Sequence, residues 1–228
     1  MPNKFAKLVA WSRRALAAIV LVAFVALFTA PWAFAKHLSP LAKAQFWPSV
    51  AGGFGIAAII VVAVTILAGR WYCGVLCPLG AWQDAAFALR RRRAQKASGK
   101  GQWVVRGAFL AAFAALGLAG LGFAWLEPYG IFGRIFTTTV GAVAGVAIFL
   151  LAVLRGRAWC NWACPVGTIL GLLSRFSPFA LKIDVAKCVG CRQCEKNCRA
   201  AAITIAGKGG EIDPTKCVQC RDCAALCP

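Results

Sequence analysis

Four long apolar stretches dominate the pattern of hydrophobic and polar positions along the chain. They cover Ala15 to Ala35, about Val50 to Gly69, about Gly107 to Leu126 and about Val140 to Leu154. A helix of about 20 apolar residues is long enough to cross a bilayer. The pattern therefore predicts four transmembrane helices, and the short fourth helix is expected to extend into residues 137–139.

Basic residues flank these stretches unevenly, and this predicts their orientation. They precede the first stretch, fill the connection between the second and third, and follow the fourth, at Lys4, Lys7, Arg13, Arg14, Arg70, Arg90, Arg91, Arg92, Arg93, Lys96, Lys100, Arg155 and Arg157. The two opposite connections carry Lys36, Lys43 and Arg134. Because basic connections stay in the cytoplasm, a multi-pass protein of the bacterial inner membrane with both termini cytoplasmic is predicted.

Composition agrees with a membrane protein. Hydrophobic residues make up 61% of the 228 residues, and the mean hydropathy is +0.71. A net charge of +19 often indicates nucleic-acid binding. Here the basic residues border the apolar stretches, so we expect contact with membrane lipid and no nucleic acid. The sequence Ala33–Ala35 before Lys36 also resembles a signal-peptidase site, so cleavage after the first stretch stays open.

The last forty or so residues contain eight cysteines in two runs of the form C-x2-C-x2-C-x3-C. Three closely spaced thiolates hold one iron–sulfur cube, and the fourth cysteine of each run crosses to the other cube. The spacing predicts a [4Fe-4S] cluster on Cys188, Cys191, Cys194 and Cys227. It predicts a second [4Fe-4S] cluster on Cys217, Cys220, Cys223 and Cys198.

Other interpretations of these cysteines fit less well. A zinc ribbon would need two C-x2-C pairs, and the reducing cytoplasm disfavours disulfides. Between the runs, residues 202–205 and 211–212 alternate around a glycine-rich turn and predict a β-hairpin. Because the chain stops at Pro228, directly after the last cysteine ligand, we expect further residues to follow it.

A second motif, C-x3-C-P, occurs twice, at residues 69–80 and 156–167. Glycine, arginine, both cysteines, proline and the final glycine match at the same offsets, which predicts a parallel internal repeat of two helical hairpins. If the repeats pack symmetrically, four thiols converge: Cys73, Cys77, Cys160 and Cys164. Such a site suits an iron–sulfur cube, zinc or copper(I), with Arg70 and Arg157 offsetting its negative charge. A thiol redox or metal-relay role and simple packing stay open.

Two residues are candidates for accepting protons from a quinol. Glu127 is the only acidic residue predicted on the outer side, and His37, the only histidine, lies at the outer end of the first stretch. Each also has an ordinary explanation as a solvated residue. A single histidine without a C-x-x-C-H motif gives no support for haem.

The predicted fold class is an α-helical membrane protein with four transmembrane helices in a two-hairpin repeat, followed by a small α+β ferredoxin domain of the bacterial 2[4Fe-4S] type. The predicted divisions are a basic segment at 1–14, a membrane domain at 15–170, a linker at 171–182 and a ferredoxin domain at 183–228.

These motifs resemble a known family. W-Y-C-G-x-x-C-P-L-G at 71–80, W-C-x-x-x-C-P-x-G at 159–167 and the eight-cysteine tail are similar to the NapH-type membrane quinol dehydrogenase component of periplasmic nitrate reductase systems. The resemblance implies oxidation of quinol and electron delivery to a partner iron–sulfur or cytochrome subunit. The NosR-type regulators and the CcoG-type oxidase assembly factors share the twin motif. A copper-handling assembly factor and a redox-sensing membrane scaffold are therefore alternatives.

Overall fold

The computed structural model describes residues 4–43, 45, 46, 48, 55–89, 101–119, 127–207 and 209–228, most of them helical. The first repeat contains α1 (Lys4–Thr29), α2 (Trp32–Lys43), α3 (Gly55–Ala68), α4 (Trp71–Val75) and α5 (Pro78–Ala88). The second contains α6 (Gly101–Leu118), α7 (Pro128–Thr137), α8 (Thr139–Arg155), α9 (Ala158–Trp162), α10 (Pro165–Leu173) and a 3-10 turn (Ser174–Phe176). The carboxyl-terminal part contains α11 (Gln193–Asn197), β1 (Ile203–Ala206), β2 (Gly209–Ile212) and α12 (Asp222–Leu226).

Among the described residues, α1 and α6 are each long and apolar enough to cross a membrane. Helices α7 and α8 are apolar together but meet at an angle of 119°, so counting them as one broken span gives three at most. Helix α3 has 14 described residues. The prediction of four spans is thus met only in part, and residues 50–54 and 120–126 of the predicted second and third spans lie outside the described residues.

The predicted first span is divided in two. Helix α1 begins at Lys4, within the predicted basic segment, and ends at Thr29. Pro31 has no backbone N–H to continue the helix, and α2 starts at the next residue. The connection that carries Lys36 and Lys43 is consequently helical rather than a simple outer loop.

The predicted extension of the fourth span into residues 137–139 is met in part: α8 begins at Thr139, and the chain turns sharply at Thr138. Thr138 has extended backbone angles and caps α8, accepting a hydrogen bond on its Oγ1 from the Gly141 N–H at 3.0 Å. A Cβ atom at Gly141 would overlap the Arg134 carbonyl of α7. The missing side chain therefore lets α7 and α8 meet closely at the bend.

Both C-x3-C-P motifs adopt the same sequence of elements. Gly69 (φ +77°) and Gly156 (φ +59°) end the preceding apolar helices in conformations that favour glycine. A five-residue helix follows in each repeat, and then Cys77 or Cys164 precedes a helix that begins with proline. The repeat predicted from the sequence therefore has a matching local structure.

The predicted hairpin in the tail is confirmed. Strands β1 and β2 pair antiparallel, with Ile203 opposite Ile212, and Gly207 has a φ of +60° in the turn. Helix α10 and the 3-10 turn continue to Phe176, inside the segment predicted as a linker. This helical segment carries the chain directly from the membrane domain to the tail.

The tail packs directly on the second halves of both repeats. Arg70 donates from Nη1 to the Thr215 carbonyl at 2.8 Å, and Asn161 donates from Nδ2 to the Ala200 carbonyl at 2.7 Å. Ser174 donates to the Pro214 carbonyl at 2.8 Å. The buried side chains of Ala200, Ala202 and Val218 belong to the same hydrophobic core as those of Cys73 and Cys77. The two parts therefore share one interior.

Candidate functional site

The structure brings the four cysteines of the twin motifs together. All four are buried, with exposed fractions of 3% to 5%, and all are free thiols: Cys73, Cys77, Cys160 and Cys164. Burial raises the pKa of the Cys77 thiol, and the neighbouring thiols of Cys160, Cys73 and Cys164 raise it further. The four thiols therefore belong to one electrostatically coupled group, although among the described residues they do not converge on a single-ion site. We call this group the four-thiol centre.

Two buried arginines cross between the repeats beside the four-thiol centre. Arg157 of the second repeat donates to the Cys73 carbonyl of the first. Arg70 of the first repeat donates to the Cys160 carbonyl of the second at 3.4 Å and to Asn161 Oδ1 at 2.9 Å. Their exposed fractions are 0% for Arg70 and 1% for Arg157. Each motif thus supplies the guanidinium that holds the opposite motif.

Glycines at equivalent positions make this crossing possible. A Cβ atom at Gly80 would overlap the Cys73 carbonyl and approach Arg157 Nη1 to 3.3 Å. A Cβ atom at Gly167 would overlap the Cys160 carbonyl and approach Arg70 Nη2 to 2.9 Å. The final glycine of each motif therefore leaves room for the arginine of the other motif.

Two N–H groups donate to sulfurs of the four-thiol centre. Gln83 on α5 donates from Nε2 to Cys160 Sγ at 3.1 Å, and the Gly167 N–H donates to Cys164 Sγ at 3.3 Å. Donors of this kind favour the thiolate form. Gln83 was not a candidate from the sequence, although an amide in an apolar helix close after the first motif was a detectable signal.

Asp84, also absent from the sequence candidates, accepts three guanidinium groups. Arg157 contacts it through Nε at 2.7 Å and Nη2 at 2.8 Å, Arg199 at 2.7 Å and Arg13 at 3.3 Å. Burial alone would raise the pKa of Asp84, but Arg157, Arg199 and Arg13 outweigh it and hold the pKa below its ordinary value. This carboxylate links α1, α5, the second motif and the tail.

The eight cysteines of the tail line two cavities, and Cys223 lines both of them. A cavity of about 340 Å³ is lined by Cys188, Cys191, Cys194 and Cys227, and also by Cys223. A smaller cavity of about 20 Å³ is lined by Cys198, Cys217, Cys220 and Cys223. Burial raises the pKa of the Cys223 thiol, and Cys220, Cys217 and Cys198 raise it further, so these four thiols are neighbours.

The backbone of the two cysteine runs suits an iron–sulfur cube. Arg192 and Arg221 each follow the second cysteine of a run in the left-handed region, with φ of 56° and 58°, and each precedes a short helix that carries the third cysteine. Among the described residues, no three side chains of His, Cys, Asp or Glu converge on a single-ion site. A cube does not require that convergence, since each of its irons takes one cysteine.

The smaller tail cavity borders the hydrophobic core that the tail shares with the twin motifs. Cys198, Cys217 and Cys220 pack on the buried core that contains Cys73 and Cys77. The larger cavity lies farther out, where Cys191 and Cys227 are exposed. The cysteines of the twin motifs are therefore buried, and those of the tail range from partly buried to exposed.

Glu127 lies in the interior rather than on an outer surface. Its side chain precedes α7 and is 3% exposed. Oε1 accepts the Gly130 N–H at 2.9 Å, and Oε2 is buried without a hydrogen-bond partner among the described residues. Glu127 is outside the spanning helices, and burial raises its pKa to about 7 despite the opposing effects of the Gly130 hydrogen bond and Arg134. A carboxylate of this kind can take up and release a proton near neutral pH.

Tyr72 is influenced both by Glu127 and by two thiols of the four-thiol centre. The Tyr72 hydroxyl donates to Gln45 Oε1 at 2.7 Å and accepts the Phe46 N–H at 3.1 Å. Burial raises the Tyr72 pKa, and the charges of Cys77, Cys73 and Glu127 add to the shift, so these groups lie close together. His37, the other sequence candidate, is exposed on α2, and the structure shows no contact that joins it to this polar group.

The fold and the site define the class of helical membrane proteins with 4Fe-4S binding domains. Residues 50–96 and 137–184, which include the two C-x3-C-P motifs, match the family described as a 4Fe-4S binding domain. Residues 187–228 match the family described as a 4Fe-4S dicluster domain.

Several ferredoxin-type proteins are similar in sequence. The methylamine utilization ferredoxin-type protein MauN of Methylorubrum extorquens is 34% identical over 60% of this chain and 49% of its own length. The ferredoxin-type protein NapH of Haemophilus influenzae is 32% identical over 64% of this chain and 53% of its own. The putative electron transport protein YccM of Escherichia coli is 25% identical over 66% and 47%.

This chain is similar to NapH-type ferredoxin-like proteins and contains both kinds of 4Fe-4S domain. It spans about half the length of the curated relatives it matches. No solved structure matches it.

Proposed function

We propose that this protein oxidises quinol inside its membrane domain and passes the electrons through the four-thiol centre and two [4Fe-4S] clusters to a partner redox subunit. The observation that carries this proposal is the packing of Cys198, Cys217 and Cys220 on the core that contains Cys73 and Cys77. This shared core supports a route for electrons between the twin motifs and the tail.

The four-thiol centre would hold a metal–thiolate group, for which an iron–sulfur cube is the best candidate. Such a group supplies reversible one-electron transfer when bound. Its net negative charge would lie beside Arg70 and Arg157, whose guanidiniums are buried at the centre. The Gln83 amide donates to Cys160 Sγ and favours the thiolate over the thiol. The match of both motifs to a 4Fe-4S binding domain supports the same choice.

The quinol would be oxidised beside Glu127 and Tyr72. Oxidation of one quinol to a quinone releases two protons and two electrons, and the electrons would leave one at a time toward the thiols. The free Oε2 of Glu127 would accept the first proton, and Tyr72 with Gln45 would position the quinol oxygen by hydrogen bonds. The second proton would follow once Glu127 has released the first. The proximity of these polar groups to Cys73 and Cys77 supports this location.

The cytoplasmic side is the proposed location of the tail. Arg14, at the basic end of α1, pairs with Asp222 of the tail at 2.7 Å, so the tail and that end of α1 lie on one side of the membrane domain. Basic ends of spanning helices favour the cytoplasm. The run Arg90–Arg93 lies outside the described residues. A partner iron–sulfur or cytochrome subunit would receive the electrons, as the family resemblance implies.

Anaerobic addition of a reduced quinone to the purified protein in lipid nanodiscs tests this proposal. We expect the tail clusters to become reduced, as followed by EPR, and we expect Cys73→Ser to abolish that reduction while dithionite still reduces the same clusters. Reduction by dithionite shows that the clusters are intact in the variant. Equal reduction by quinol in both proteins would contradict the proposed route. Copper rather than iron in the four-thiol centre would favour an assembly factor.

A further inference from the structure

A cavity of about 530 Å³ lies where α1, α5 and the tail meet, away from the proposed redox route. We call it the junction cavity. Its polar end is lined by Arg13, Arg14, Asp84, Arg199 and Asp222. Its volume is within the range of ligand sites, which is about 300–1,000 Å³. Nothing in the proposed electron transfer uses this space.

The opposite end of the junction cavity is apolar. Ala17, Ala18 and Leu21 of α1 line it on one side, and Ala81 and Ala85 of α5 line it on the other. On α1 these residues follow Arg13 and Arg14 into the apolar part of the helix. The polar end therefore lies at the level where α1 enters the membrane, and the apolar end lies deeper in it.

The polar end carries an excess of positive charge. Three arginines, Arg13, Arg14 and Arg199, line it together with two carboxylates, Asp84 and Asp222. Arg157, which does not line the cavity, also forms an ion pair with Asp84. Asp222 is likewise shared, between Arg14 and Arg199. Because the arginines outnumber the two aspartates they share, this end of the cavity attracts a further anion.

Two of these arginines are also incompletely paired. Arg13 and Arg199 are 6% and 7% exposed, and within the described part of the chain the Nε of each is buried without a hydrogen-bond partner. Arg14, by contrast, keeps 55% of its side chain exposed at the same end of the cavity and can reach a ligand from the membrane surface. Burying a guanidinium nitrogen without a hydrogen-bond partner raises the free energy of the folded protein. An anion bound at this end would reduce that penalty.

We propose that the junction cavity binds an anionic phospholipid. Its phosphate would lie at the Arg14 end, and the first part of an acyl chain would lie along Ala17, Ala18 and Leu21. The excess of positive charge favours an anionic headgroup over the neutral head of a quinone. The bound lipid would join α1 and α5 to the tail, and this role does not depend on the proposed quinol chemistry.

The test measures lipid binding to the purified full-length protein by native mass spectrometry and by thermal stability in detergent. We expect phosphatidylglycerol to bind and to raise Tm, with little effect from phosphatidylcholine or from inorganic phosphate alone. Arg14→Gln should weaken phosphatidylglycerol binding about fivefold, since one arginine near an anionic surface contributes roughly that factor. Ala18→Phe should weaken it by filling the apolar end. Ala18 is exposed on α1, so this change does not disturb the core.

Lys7→Gln is the matched control, because it removes one charge from an exposed position of the same helix that does not line the cavity. It should leave phosphatidylglycerol binding unchanged. Three outcomes would overturn the proposal: equal binding of phosphatidylglycerol and phosphatidylcholine, an equal loss of binding in the control, or an effect of inorganic phosphate that matches the lipid. Displacement of a quinone by Ala18→Phe would also overturn it and assign the cavity to quinone.

Discussion

Arg157 donates a hydrogen bond from its guanidinium to the backbone carbonyl of Cys73, although 84 residues separate them. The same guanidinium pairs with Asp84 on α5. One side chain of the second repeat thus holds both the first cysteine of the first motif and the helix that follows that motif. The integrity of the four-thiol centre depends on this contact and on its counterpart from Arg70.

Replacing Arg157 should destabilise the protein strongly. In Arg157→Gln the Cys73 carbonyl and part of Asp84 lose a buried charged donor, and we expect a loss of about 3 kcal/mol in the free energy of unfolding. Denaturant titration in detergent micelles measures this quantity. Arg155→Gln, an exposed arginine two residues earlier, should change it little. A similar loss of unfolding free energy in both variants would show that Arg157 contributes no more to stability than an exposed arginine does.

The final glycine of the first motif should not tolerate a side chain. Gly80→Ala places a methyl group on the Cys73 carbonyl and close to Arg157, so we expect a loss of stability of roughly 2 kcal/mol. Gly107→Ala is the control, since a Cβ atom there meets no atom within 4 Å in the middle of α6. That change should be neutral or stabilising. Thermal unfolding of both variants, side by side, gives the comparison.

The four-thiol centre should behave as one site. A shared group should be lost when any one of its ligands is lost, so the double variant Cys73→Ser with Cys160→Ser should retain as much quinol-dependent cluster reduction as either single variant. Metal content and EPR amplitude of each variant are the measurements. Additive losses would instead show two independent pairs, and unchanged values in all variants would make these cysteines packing residues.

The fourth cysteine of each tail run should affect the opposite cluster. Cys227→Ser should damage the cluster of the larger cavity, with Cys188, Cys191 and Cys194, and leave the other largely intact. Cys198→Ser should damage the cluster next to the membrane core. Iron analysis, redox titration and EPR of the two variants distinguish the clusters. Loss of the same signal in both variants would contradict the crossed assignment.

Quinol oxidation should depend on pH through Glu127. Burial raises the pKa of Glu127 to about 7, so the carboxylate is protonated below that pH and cannot accept a proton from quinol. The rate of cluster reduction should therefore rise with pH through about 7 and level off above it. Glu127→Gln should lower the rate by at least about a hundredfold and remove this pH dependence.

Glu211→Gln is the control, because Glu211 is an exposed carboxylate on β2, and it should change neither the rate nor its pH dependence. A retained pH profile in Glu127→Gln would exclude Glu127 as the proton acceptor.

The sequence determined the parts of this protein that depend on short-range spacing. Cysteines with two or three residues between them limit which thiols can bind one cube. Alternation of apolar residues around Gly207 specifies the hairpin. The repeated C-x3-C-P motif likewise indicated matching local structures, because proline and glycine limit the backbone at defined positions. The long apolar stretches indicated a membrane domain through the length a bilayer requires.

Only the tertiary structure decided which distant side chains meet. The crossing of Arg70 and Arg157, the sharing of Asp84 among three guanidiniums and the donation of Gln83 to Cys160 all join segments far apart in sequence. Such pairings depend on how helices pack, and a pattern of polar positions does not specify the packing partner of each residue. For the same reason the burial of Glu127 beside Tyr72 was not predicted, since a lone acidic residue after an apolar stretch is equally compatible with a solvated loop.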